Sequence, residues 1–121
     1  MREKLVAFVG AVVLCSLLFA GPAQSSAVPT LIGTVGAQGS VSLERMDGKS
    51  VHRLRRGVYR IVVHDRSRRD NFDLIGPQSG VRHSTTMTFV GTVTWRLRLV
   101  IGVYRYGSDR LPKAYASFRV V

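Results

Sequence analysis

The sequence predicts an all-β fold, a Greek-key β-sandwich of about seven to eight strands set behind an N-terminal signal segment. Three observations carry that expectation. Thr92 to Leu99 alternates strictly, with Val93, Trp95, Leu97 and Leu99 on one face and Thr94, Arg96 and Arg98 on the other; a period of two sustained over such a run marks a half-buried strand. Turn signals built on Gly, Asp-Gly and Gly-Pro recur at roughly 8–12-residue spacing, as in sandwiches and barrels. Beyond residue 27, no stretch shows the 3.6-residue apolar period of an amphipathic helix.

Taken in order, the chain begins with a basic start, Met1 to Lys4, and an apolar run from Leu5 to Ala20. Gly21 to Ala27 follows, placing Ser25 and Ala27 at the −3 and −1 positions of a cleavage site, with Ala23 as a second cleavage point. The apolar run is short for an uncleaved anchor across a ~30 Å hydrocarbon core. Cys15 lies inside it behind Leu14, where lipoprotein processing needs a small residue. The expected organisation is therefore a signal peptide over 1–27 and one domain over 28–121. That implies a secreted or cell-envelope location and no transmembrane span after cleavage.

Within the domain, Thr30–Gly36 reads as the first strand and Val41–Glu44 as the second, separated by the turn at Gly36 to Gly39. Asp47-Gly48 is a hairpin signal, because glycine accepts the positive φ of tight turns. Val51 to Leu54 resumes extended structure. Val58 to Val63 is the most apolar, β-branched strand and should be central. Asp65 to Asp70 contains only polar residues and is expected as a surface loop. Asn71–Ile75 is a short strand ended by Gly76-Pro77. Thr85–Val90 reads as another strand. Thr92–Leu99 and Val103–Tyr106 read as a hairpin turning at Gly102, and Ala114–Val121 closes the fold with Ala116, Phe118 and Val120 on one face.

Composition bounds function. Eighteen Lys and Arg stand against seven Asp and Glu, a formal charge of +11, falling to +10 once Arg2, Glu3 and Lys4 leave. Such a surface attracts polyanions. With Cys15 in the signal segment, the domain has no thiol, which excludes disulfide stapling and thiolate metal centres. His52, His64 and His83 are scattered among arginines. A serine–histidine–aspartate assembly can be drawn on paper from His64 and Asp65, but no nucleophile elbow accompanies it, and no pair of carboxylates marks a hydrolase. The chain is expected not to be an enzyme.

The runs Gly57-Val-Tyr-Arg-Ile-Val-Val-His-Asp65, Asn71-Phe-Asp-Leu-Ile-Gly-Pro77, Phe89-Val-Gly-Thr-Val-Thr-Trp-Arg-Leu-Arg-Leu99, Gly102-Val-Tyr-Arg-Tyr106 and Ala116-Ser-Phe-Arg-Val120 together resemble small secreted bacterial cupredoxin-like domains of the plastocyanin and azurin type. The resemblance implies a Greek-key sandwich and, in copper-binding members, a type-1 site of two His, a Cys and an axial Met, donors suited to copper. The corresponding positions here are Asp70, Ser108 (or Gly107), Leu111 (or Arg110) and Ala114. Gly107 to Ala116 contains no Cys, His or Met, and Arg110 and Lys113 would repel a cation. The expectation is a fold without type-1 copper or any other cofactor.

The remaining candidates are basic. Arg66, Arg68 and Arg69 cluster in one loop, Arg53, Arg55 and Arg56 in another, and Arg96, Arg98 and Arg105 fall on the outward face of the expected hairpin beside Tyr104 and Tyr106. Arg66, Arg68, Arg69, Arg96, Arg98 and Arg105 form the candidate polyanion-binding set. The implied partners are anionic cell-wall or lipid polymers, with no nucleic acid expected. The resulting expectation is a secreted, non-catalytic binding or structural module. The alternative is a copper-binding or electron-transfer protein using an unrecognised ligand set drawn from His64, Asp70, Asp73 and Met87.

Overall fold

A computed structural model describes residues 27–78 and 80–121; the expected signal peptide falls almost wholly outside them. Nine strands run in chain order: β1 (Thr30–Val35), β2 (Val41–Arg45), β3 (Arg53–Leu54), β4 (Gly57–Asp65), β5 (Asp73–Ile75), β6 (Arg82–Ser84), β7 (Gly91–Leu99), β8 (Gly102–Gly107) and β9 (Ala116–Val120). Pro112–Ala114 forms a single 3-10 turn before β9. The strands build two mixed sheets, ordered β2-β1-β4-β7 and β3-β9-β8-β5-β6. β1 runs parallel to β4 and β3 parallel to β9; the other pairs are antiparallel. This is the expected all-β sandwich. No helix among the described residues is long and apolar enough to cross a membrane.

β4 is central to its sheet, as its β-branched run predicts, and pairs along its whole length with β7, Ile61 opposite Trp95 and Val63 opposite Val93. The alternating residues of both strands face inwards. Leu31, Val35, Leu43, Tyr59, Ile61, Val63 and Leu99 of one sheet meet Leu54, Phe72, Leu74, Tyr104, Tyr106, Phe118 and Val120 of the other, with Val93, Trp95 and Leu97 packed at the margin. Each such burial contributes roughly 1.5–3 kcal/mol, so the core carries the fold without any disulfide. Aromatic contacts order its centre: Tyr104 stacks on Phe118 at 5.2 Å, and Phe72 stacks on Tyr106 at 6.1 Å.

Four expectations are corrected. Thr85–Val90 is not a strand despite its β-formers. Phe89 N–H closes a turn on the Thr86 carbonyl, and the next strand is Arg82–Ser84, paired to β5 and carrying His83 inwards against Trp95. The closing strand starts at Ala116, where Ala116 itself is exposed. β7 and β8 are not a hairpin. Val100–Ile101 carries the chain from one sheet to the other, so β7 pairs with β4 while β8 pairs with β5 and β9. Finally, the polar run Asp65–Asp70 is not a solvated loop, because Asp65, Ser67 and Asp70 are each at most 3% exposed.

Candidate functional site

The buried polar residues gather at one end of the sandwich, where β4 ends, the β1–β2 turn closes, and β8 runs into the loop before the 3-10 turn. The 65–70 segment is folded by its own side chains. Ser67 N–H donates to Asp65 Oδ1 at 3.0 Å, while Ser67 Oγ accepts from the Arg69 and Asp70 N–H groups and donates to Asp70 Oδ2 at 3.1 Å. Asp and Ser side chains readily replace backbone partners in this way. The carboxylates turn inwards and Arg66, Arg68 and Arg69 turn out to solvent.

Asp70 is the centre. Arg110 Nε donates to Asp70 Oδ1 at 2.7 Å, with Nη2 at 3.4 Å from Oδ2. Ser108 Oγ lies 3.3 Å from both Asp70 Oδ1 and Asn71 Oδ1, and accepts from the Asn71 N–H at 3.2 Å. Asn71 is clamped in turn: its Nδ2 donates to the Thr85 carbonyl at 3.1 Å and to Asp109 Oδ2 at 3.0 Å, and its Oδ1 accepts the Asp109 N–H at 2.8 Å. Thr85 Oγ1 donates to Asp65 Oδ2 at 3.0 Å and accepts the Phe72 N–H at 2.9 Å. Gly39 closes the top of the pair: at φ +93°, a Cβ there would lie 2.9 Å from Asp70 Oδ2, a position open to glycine alone without strain.

The electrostatics follow from these partners. The Arg110 guanidinium holds the Asp70 carboxyl below the ordinary carboxylate range, outweighing burial. Among the described residues no cation pairs with Asp65, so burial pushes its carboxyl up, against hydrogen bonds from Ser67 and Thr85 and helped by its neighbour Asp70. A third buried carboxylate, Asp73, sits on the outward face of β5 beneath Tyr115. Burial opposes its charge, but Arg82, Ser84 and Tyr115 hydrogen bonds prevail and lower it. Tyr115 Oη donates to Asp73 Oδ2 at 2.6 Å, its ring lies over Gly107, and Arg105 rests on that ring 5.0 Å from the centroid. Burial, followed by the Asp73 carboxylate, raises the Tyr115 phenol strongly.

Of the four positions read as equivalents of copper ligands, the fold brings Asp70 and Ser108 together; Leu111 and Ala114 lie exposed on the turn. His64 stands on the outer face of β4 with Nδ1 3.0 Å from Thr92 Oγ1. Among the described residues, no group of three or more His, Cys, Asp or Glu could hold a metal ion. The basic candidates divide. Arg96 and Arg98 lie on the outer face of the β4–β7 sheet, Arg105 lies on the other sheet, and Arg66, Arg68 and Arg69 flank the Asp70 end, so they form no single stripe. Sequence reasoning missed the roles of Asp65, Ser67, Arg82 and Tyr115. The one available signal was the placement of three acid or serine residues between the arginines of 65–70.

No family model matches this sequence, and no curated protein does. Solved structures do. A methionine-to-glutamine mutant of rusticyanin superposes with a TM-score of 0.59 at 13% identity, covering 80% of this chain and 80% of that one. Reduced rusticyanin gives the same score and identity over 81% and 82%. The likeness is one of fold: the chain has a cupredoxin-like β-sandwich.

Proposed function

We propose that this chain is an exported, non-catalytic module on a cupredoxin-like scaffold, metal-free at the end where copper-binding members carry their ion, and that it acts by binding rather than electron transfer. The observation that carries this reading is the Asp70–Arg110 pair. Of the residues at the copper-ligand positions, Asp70 and Ser108 are hydrogen-bonded to each other and Asp70 is paired with the Arg110 guanidinium at 2.7 Å, leaving oxygen donors and a fixed positive charge where copper chemistry asks for imidazole and thiolate. The residues present do not fit the ion. The basic surface, including Arg66, Arg68, Arg69, Arg96 and Arg98, supplies the attraction for anionic envelope polymers.

Metal analysis of the purified protein, followed by a copper titration, tests the reading. The expected result is less than a trace of retained metal and no saturable uptake; one tightly held equivalent per chain would overturn it. A constructive variant tests the geometry. Asp70→His, Ser108→Cys and Ala114→Met, combined with either Arg110→His or Leu111→His, should yield visible copper–thiolate absorption.

A further inference from the structure

The end of the sandwich opposite Asp70 is arginine-rich and concave. The edge strands of the two sheets, β2 and β3, part there around a cleft of about 970 Å³, floored by Leu54 and Tyr59 and rimmed by Arg45, Arg53, Arg55 and Arg56. All four arginines are exposed, and among the described residues no carboxylate lies within ion-pair distance of any of them.

The backbone beneath these side chains is fixed. Arg45 comes from the far sheet, yet its Nη2 donates to the Arg53 carbonyl at 2.7 Å, tying the two sheets across the cleft. Tyr59 Oη donates to the Arg55 carbonyl at 2.7 Å. The Arg56 N–H donates to the Val121 carbonyl, and the Val121 N–H to the Leu54 carbonyl, both at 2.9 Å. Three guanidiniums therefore project from a short segment whose main chain has already lost its freedom, which lowers the ordering cost of binding. A second, shallower hollow continues from Arg56 to Arg98 beside the exposed Ile101.

We infer that this cleft is a binding site for a ligand presenting adjacent phosphate groups. Planar guanidinium forks match phosphate oxygens two at a time. The concavity favours a ligand with several neighbouring anionic groups over a single ion, and the Tyr59 and Leu54 floor accepts a non-charged body between them. The phosphates can belong to a soluble polyphosphate or to a lipid headgroup. The inference deepens the binding-module reading by naming where it binds and what, and it fails separately: a copper-loaded protein could keep this cleft, and an empty cleft would leave the Asp70–Arg110 pair intact.

Calorimetric titration of the purified protein with inorganic tripolyphosphate, at about 50 mM and about 200 mM salt, tests it. Saturable binding that weakens with salt is expected. Arg55→Gln with Arg56→Gln should weaken it by about ten-fold, the scale of one lost charged fork. Arg60→Gln with Lys113→Gln, an equal change of charge elsewhere, should leave it within about two-fold. The backbone carbonyls that hold the rim survive these substitutions, and a thermal melt verifies that the variants fold. Vesicles of phosphatidylcholine with and without phosphatidic acid form the second arm. Association that needs the acidic lipid and shows the same variant pattern identifies the headgroup as the source. Equal losses from the two double variants, a larger loss from Arg66→Gln, Arg68→Gln and Arg69→Gln than from the cleft pair, or no binding in either arm would each overturn the inference.

Discussion

Phe72 shows how little slack the centre has. A Cβ on Gly33 would stand 2.7 Å from the Phe72 ring, so Gly33→Ala should cost about 1–3 kcal/mol by overpacking. Denaturant titration measures it, and Phe72→Leu in the same chain should make the alanine less costly than it is alone. The buried carboxylates give opposite pH signatures. Asp70 is depressed, so its stabilisation is present above the unfolded carboxyl value and is lost as pH falls through its lower native value. Asp70→Asn should cost about 1.5–3 kcal/mol at neutral pH, and the deficit should shrink below about pH 4. Asp65 is raised, so its ionisation weighs against the fold as pH climbs past the ordinary carboxyl value. Asp65→Asn should therefore gain stability relative to the parent as pH rises past about 4; a gap constant with pH would refute the assignment. None of this was legible in the 65–70 stretch, where six polar residues look alike until Ser67 supplies the hydrogen bonds that let three of them turn inwards.

At the scale of elements, alternation read well and partnership read poorly. Thr92 to Leu99 and Val58 to Val63 declare their inner faces in sequence, and the β4–β7 ladder places them as read. Thr85–Val90 carries comparable β-formers, but the ladder on β5 is already taken by Arg82–Ser84, and β-propensity expresses itself only through the strands a segment packs against. The passage from β7 to β8 was also opaque, because a glycine between two strands looks the same whether it turns a hairpin or crosses between sheets. Here Gly102 sits at φ +142°, and a Cβ would fall 2.5 Å from Pro77 in the β5–β6 turn. Gly102→Ala should cost about 1–3 kcal/mol from strain alone, which a thermal scan would read as a drop of several degrees. Unchanged stability would mean that the crossover is not the tight junction described.

Across the whole molecule, β1–β4, β4–β7, β3–β9 and β5–β8 join distant parts of the chain, while β1–β2, β5–β6 and β8–β9 join consecutive strands, so refolding should be cooperative and fall in the millisecond-to-second range of all-β domains. Stopped-flow refolding checks this. The fold was recoverable from sequence because it depends on repeated, short-range periodicity; the site was recoverable only as a set of missing ligands, because what fills their place is assembled from residues some forty positions apart, Asp70 with Ser108 and Arg110. Arginines gather at both poles of the strand axis, in different company. At one end Arg66, Arg68 and Arg69 flank the buried Asp65 and Asp70, with Arg110 on Asp70 itself; at the other, Arg45, Arg53, Arg55 and Arg56 ring a cleft. Nine-residue strands separate the poles by about 30 Å, several times the ~8 Å over which salt lets charges feel one another. A polyanion held at one pole therefore leaves the field at the other untouched. A chain anchored by its arginine cleft would still present the Asp70 end, with Gly39 above it and Arg66, Arg68 and Arg69 beside it, as a second basic face.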